Sequence, residues 1–182
     1  MVAQERLYTV EEFEAIALRP ENRERRLEFI GGEIVEVVSN NYSSQVAAKI
    51  LIEFGIHLKG KNLGHVTGAD GGYVVSGERY IPDAAFISRQ RQPEPCHETW
   101  NPLAPDLAVE VLSPTDDEKD VAVKIANYLA ANTVVWLVRT LERRVSVFVP
   151  GQPVTHYGVD DVLTGGDILP DFRLKISDIF EA

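Results

Sequence analysis

The sequence predicts a mixed α/β fold, and three observations carry that reading. A strand-like run at 107–112 is followed by a helix-length segment and a second apolar run at 133–138, the order of a crossover joining two parallel strands. Gly31-Gly32 divides residues 27–38 into two short β-rich halves, the signature of a hairpin. Ala47, Ile50, Leu51, Phe54 and Leu58 recur at helical spacing before Gly60, so a helix with a broad apolar stripe packs on the sheet.

Each element has a local cause. Thr9 followed by Glu12 makes a capping box, and Tyr8 with Phe13 has the spacing of a hydrophobic staple, so the first helix starts at Val10 and ends near Leu18, ahead of Pro20. After the hairpin, residues 40–44 read as a turn and cap, and the second helix runs to about Lys59. Glycines break residues 63–88 into short strands at 65–67, 72–75 and 80–87, with a turn at Ser76-Gly77. Residues 89–104 are polar and proline-rich and read as a long irregular loop. Thr115 and Asp116 cap a third helix reaching about Ala131. Beyond it, residues 144–149, 155–157 and 162–172 read as hairpins with Gly-Gln-Pro and Gly-Gly turns. No linker, repeat or low-complexity stretch divides the chain, so residues 1–182 are expected to form one domain.

Composition narrows the function classes. With 182 residues, 45% hydrophobic and 25% charged, the chain supports one full core of an ordinary globular protein. No apolar run approaches the roughly 18 residues of a membrane span, and charged residues interrupt the first thirty, so the expected compartment is the cytoplasm. Cys96 is the only cysteine and has neither a disulfide partner nor a zinc-type companion set. A net charge of −10 argues against loose adhesion to nucleic acid, whose affinity comes from Lys and Arg replacing counterions. A nucleic-acid substrate therefore needs locally gathered bases. Arg19, Arg23, Arg25 and Arg26, and later Arg139, Arg143 and Arg144, are the candidates, although glutamates among them also fit a mixed-charge surface.

The chemistry-bearing residues lie between Tyr80 and Tyr128. Strand alternation puts Asp106, Ala108 and Glu110 on one face, and the same rule groups Ile81, Asp83 and Ala85. If those strands are neighbours, the carboxylates of Asp83 and Glu110 meet. Along the following helix, Val121, Ile125, Tyr128 and Leu129 form the apolar stripe; Lys124 sits at its border, and Lys119 points the other way. Lys124 can thus run its stem along the core edge and return its ammonium towards Glu110. Two carboxylates supply hard oxygen ligands for Mg²⁺ or Mn²⁺, and a lysine beside them can orient water or stabilise negative charge during phosphodiester cleavage. Surface-facing strand ends, or a structural ion pair between Lys124 and Glu110, account for the same residues without chemistry.

A resemblance adds to this reading. Residues 26–35 (RLEFIGGEIV), 79–86 (RYIPDAAF), 105–114 (PDLAVEVLSP), Asp120 with Lys124 and Tyr128, and 135–138 (VWLV) occur in the order found in the Uma-type "putative restriction endonuclease" family of the PD-(D/E)XK nuclease superfamily. The chain resembles that family over nearly its whole length. The resemblance implies a restriction-endonuclease-like α/β fold, a mixed sheet flanked by helices with additional β-hairpins, and Mg²⁺-dependent hydrolysis of DNA. By position it makes Asp83 and Glu110 the metal ligands. The superfamily's usual lysine falls at Leu112, so the resemblance supplies it from the helix as Lys124, the residue that helix phase also selects. Glu28 matches an acidic position of the early hairpin and is expected to complete the metal site through water. A homodimer would suit cutting both strands of a duplex, while a catalytically silent binding or assembly protein on the same fold is the alternative. Two departures stand out: Gly31-Gly32-Glu33 replaces an Asp-Gly-Glu turn, and residues 133–136 (TVVW) lack the usual acidic residue.

Overall fold

A computed structural model describes residues 6–180. In chain order it contains α1 (Val10–Ala17), a 3-10 turn (Pro20–Asn22), β1 (Leu27–Ile30), β2 (Glu33–Glu36), α2 (Asn41–Leu58), β3 (Gly64–Gly68), β4 (Gly72–Val75), β5 (Glu78–Tyr80), β6 (Ala84–Ser88) and β7 (Trp100–Asn101). There follow β8 (Leu107–Leu112), α3 (Glu118–Ala130), β9 (Val134–Arg139), β10 (Arg144–Phe148), β11 (Thr155–Tyr157), β12 (Val162–Gly165), β13 (Leu169–Lys175) and α4 (Ile176–Phe180). The strands form a six-stranded sheet, β11-β10-β9-β8-β6-β3, a five-stranded sheet, β2-β1-β5-β4-β7, and the pair β12-β13. This is the mixed α/β architecture the sequence predicts. The expected crossover is present: β8 and β9 pair in parallel, with α3 between them.

The large sheet is covered on both faces. Leu107, Val109 and Val111 of β8, with Trp136 and Val138 of β9, face α2 and the β12-β13 pair. There the rings of Phe54, Trp136 and Phe172 meet with centroids 5.4–5.8 Å apart. The opposite face presents the small side chains Ala85 and Ala108 with Val135, and Ile30, Tyr73, Tyr80 and Tyr128 pack over it. Small residues on that side of the sheet leave space that polar groups occupy one pleat further along.

The hairpin and first cap match expectation. Gly31 and Gly32 both have positive φ, 59° and 86°, as the two-residue primed turn between β1 and β2 requires. Thr9 and Glu12 close the capping box of α1.

Four local expectations need correction. The strand expected at 80–87 is two strands in different sheets: β5 ends at Tyr80, Pro82 has no N–H to continue a ladder, and β6 begins at Ala84 in the large sheet. Alpha-helix α2 starts earlier than expected, because Asn40 accepts the N–H of Ser43 at 2.8 Å and acts as its cap. Asp117, accepting the N–H of Lys119 at 2.7 Å, caps α3, while Asp116 accepts the N–H of Ser113. The loop at 89–104 contains β7, paired with β4, where Trp100 lies so close to Gly72 that a Cβ there would stand 2.4 Å from its ring. The closing helix α4, five residues long, was too short to show a helical period.

Candidate active site

Four elements from two sheets and a helix bring the predicted residues together. On β1, Leu27 and Phe29 face Phe13 of α1, so alternation turns Glu28 and Ile30 the other way, towards α3 and the large sheet. Glu28 is only 3% exposed, and its Oε1 accepts the N–H of Ile81 at 2.5 Å, which ties β1 to the segment linking the two sheets. Asp83 ends that segment. The β6–β8 register pairs Ala84 with Val109 and Ala85 with Ala108, and one further step sets Asp83 opposite Glu110. Its Oδ2 accepts the N–H of Val111 at 2.7 Å.

Lys124 enters from α3. Its Nζ donates to Glu28 Oε1 at 2.9 Å and Oε2 at 3.1 Å, and to Glu110 Oε2 at 2.9 Å. One turn later the hydroxyl of Tyr128 donates to Glu110 Oε1 at 2.8 Å. Helix phase therefore separates the two lysines as expected: Lys124 is buried in the site, and Lys119 is exposed, paired with Glu33 at 2.9 Å. Behind the lysine, its Nζ stands 5.5 Å from the centroid of Tyr80. The Tyr80 hydroxyl donates to Glu78, and Asn127 Nδ2 reaches both Glu78 at 3.1 Å and Tyr80 at 2.7 Å.

The electrostatics follow from burial. Desolvation pushes Glu110 up to about 7 in spite of Lys124, and the neighbouring Glu28 and Asp83 add to the rise. Asp83 is raised, first by burial, against the opposing pull of the Val111 N–H and Lys124. Burial alone would lower Lys124, but Glu110 and Glu28 outweigh it and hold the ammonium charged. Tyr128 is raised by burial and then by Glu110 and Glu28, which keeps it a phenol and a donor. Three carboxyl groups thus face one ammonium, and the imbalance favours an added cation.

The residues border a cavity of about 470 Å³, whose walls include Val35, Val37 and Ile81 and whose rim carries Asp116, Asp117 and Asp120. Among the described residues, no arginine lines it. No group of three or more Asp, Glu, His or Cys side chains is placed to hold a metal among the described residues. Asp83 and Glu110 as a pair suit a cation such as Mg²⁺, which keeps several waters and commonly takes only one or two carboxylates. Glu28 differs from expectation in its nearest partner: its carboxylate is spent on Lys124 and the Ile81 N–H.

The family described as "Putative restriction endonuclease", Uma2, matches residues 10–177. The chain belongs to this family. A comparison with curated proteins finds no match. Among solved structures, a putative nuclease from Anabaena variabilis superposes with a TM-score of 0.82 at 21% identity, covering 94% of this chain and 97% of the other, which establishes a shared fold. No helix among the described residues is long and apolar enough to cross a membrane.

Leu112 occupies the position at which the resemblance leads one to expect a lysine. The lysine from α3 converges on Glu110 instead. Sequence reasoning missed the supporting shell. Tyr128 was visible only as a stripe residue, though its i+4 spacing from Lys124 puts both on one helix face. The Glu78–Tyr80–Asn127 cluster gave no sequence signal, since its members come from β5 and α3 and meet only in the folded chain. Three of the seven candidate basic residues form surface ion pairs: Arg25 with Glu36, Arg139 with Glu118 and Arg144 with Glu142.

Proposed function

We propose that the chain is a Mg²⁺- or Mn²⁺-dependent endonuclease that hydrolyses DNA phosphodiester bonds, with Asp83 and Glu110 as the metal ligands. The observation that carries this reading is the excess of carboxyl groups over cations at one open cavity: buried Glu28 and Glu110 and half-buried Asp83 against Lys124. A bound divalent cation would polarise a phosphoryl oxygen and lower the pKa of a water molecule. Hydrolysis joins that water's oxygen to phosphorus, breaks the bond to the leaving sugar oxygen and moves one proton to the leaving group. Lys124, held protonated, acts as a hydrogen-bond donor to the water or to the negative charge developing on phosphate, not as a base. Glu28 holds the ammonium in place from one side, and Tyr128 fixes the Glu110 carboxylate from the other.

Plasmid nicking with Mg²⁺ or Mn²⁺ tests the proposal. Wild type should nick, and Asp83→Ala and Lys124→Ala should each lose activity by about a hundredfold or more, as expected when a group acting on transition-state charge is removed. Cleavage surviving in both variants rules this site out.

One observation favours a second reading, a nuclease-fold binding protein without turnover. Among the described residues, every hydrogen bond of the Lys124 side chain ends on Glu28 or Glu110, the pattern of a structural ion pair. On that reading wild type does not nick, and Lys124→Ala changes stability alone.

A further inference from the structure

The active-site cavity has a substrate problem. It is lined by Glu28, Asp83, Glu110 and the rim aspartates, with Lys124 already engaged, so it offers a polyanion little beyond the cation it could hold. Grip on a nucleic-acid strand has to come from outside it.

A second cavity, about 570 Å³, lies next to the first, and Ile81 lines both. Four arginines border it: Arg23, Arg25, Arg26 and Arg79. Two of these are closed by carboxylates. Arg25 binds Glu36 through two hydrogen bonds of 3.1 and 2.7 Å, and Arg79 binds Glu14 at 2.8 and 2.6 Å. The other two are open. Arg23 is exposed and its side chain has no hydrogen bond or ion pair among the described residues, and the Arg26 side chain makes only a 3.4 Å contact to the carbonyl of Ala69.

Arg26 is also placed in register with the active site. Its carbonyl accepts the N–H of Val37 at 2.8 Å, extending the β1–β2 ladder by one residue. Alternation then sets Arg26 and Glu28 on the same side of the strand, about 7 Å apart along it. That separation is about two axial rises of a duplex strand and, because the backbone winds around the axis, about one phosphate-to-phosphate step. Asp70 and Glu98 also line the cleft, so its unspent charges are balanced and its affinity should be modest and tunable.

We infer that Arg23 and Arg26 form a phosphate-backbone grip for a DNA strand whose scissile phosphate lies at Asp83 and Glu110; the choice of DNA rests on the nuclease reading. The grip is sequence-independent and acts one or two nucleotides from the cut.

Fluorescence anisotropy of a labelled 20-base-pair duplex, titrated with wild-type protein in EDTA over a series of KCl concentrations, reads this grip without cleavage. Replacing both arginines, R23A with R26A, should weaken binding about tenfold or more and reduce the slope of log K against log [KCl] by about two. Arg23→Glu, an exposed change that the fold should tolerate, should also weaken binding, and Asp70→Asn should tighten it. Arg139→Ala, at a residue that lines neither cavity and is paired with Glu118, should leave the slope unchanged. Wild-type affinity and slope in R23A/R26A, or no binding by wild type, overturns the grip. If wild type nicks plasmid while R23A/R26A binds normally, the grip fails and the nuclease reading stands. If wild type binds through these arginines but never nicks, the nuclease reading fails and the grip stands.

Discussion

Asp83 and Asp106 stand at opposite ends of the same pair of strands and do the same backbone job. Asp106 Oδ2 accepts the N–H of Ser88 at 2.6 Å, and Asp83 Oδ2 accepts the N–H of Val111 at 2.7 Å, so each closes one end of the β6–β8 ladder. They differ in charge compensation. Asp106 has the guanidinium of Arg91 at 3.1 Å, whereas Asp83 has no ion pair among the described residues and its neighbouring ammonium is bonded to Glu28 and Glu110. The same carboxylate device is thus complete at one end and a charge short at the other. A half-buried acid left a cation short, beside a second acid and an open cavity, is where a divalent ion would lower the energy most.

The largest expected effect that separates the two ends is on cleavage. Asp83→Asn keeps an acceptor for the Val111 N–H but removes a ligand charge, so nicking should fall at least a hundredfold while stability stays at or above wild type. Asp106→Asn should do the reverse: it leaves the Arg91 guanidinium, still bonded to the carbonyls of Ala104, Pro105 and Asn132, without its carboxylate and lowers stability by about 1–3 kcal/mol in urea unfolding, with unchanged nicking per folded molecule. Equal activity losses in the two variants would break the comparison.

Next in size is a pH effect on stability. Glu110 titrates at about 7 in the fold against an ordinary 4.5, so between those values the native state holds a proton that the unfolded chain has released. Stability from this group therefore falls as pH rises from about 4.5 to 7, by about 3 kcal/mol, and stays low above that. Asp83, also raised, works in the same direction. Lys124 is charged in both states throughout this window and contributes nothing to the slope. Urea unfolding across pH 4.5–8 should show the decline in wild type and a flatter profile in Glu110→Gln. The smallest effect belongs to Tyr128→Phe, which removes one hydrogen bond to a carboxylate and should cost about 1.5–3 kcal/mol of stability with a several-fold loss of nicking.

Much of this architecture was legible in the residues. Local signals with one partner nearby read correctly: the Gly31-Gly32 turn, the Thr9–Glu12 capping box and the β8–α3–β9 crossover. Lys124 was legible because helix phase is a short-range property. What stayed hidden depends on long-range pairing. Alternation says which face a side chain takes but not which sheet its strand joins, so the split at Pro82, which delivers Asp83 to the site, was read as one strand. For the same reason Glu28 was assigned a water-mediated role, while the meeting of β1 with α3 gives it Lys124 directly.

The central claim, that Asp83 is a charge short because a divalent cation completes it, is most directly tested by Mn²⁺ binding. Titration of Mn²⁺ followed by its electron paramagnetic resonance signal should show saturable binding to wild type and to Asp106→Asn, and loss of that binding in Asp83→Asn. Binding that persists unchanged in Asp83→Asn would contradict the account.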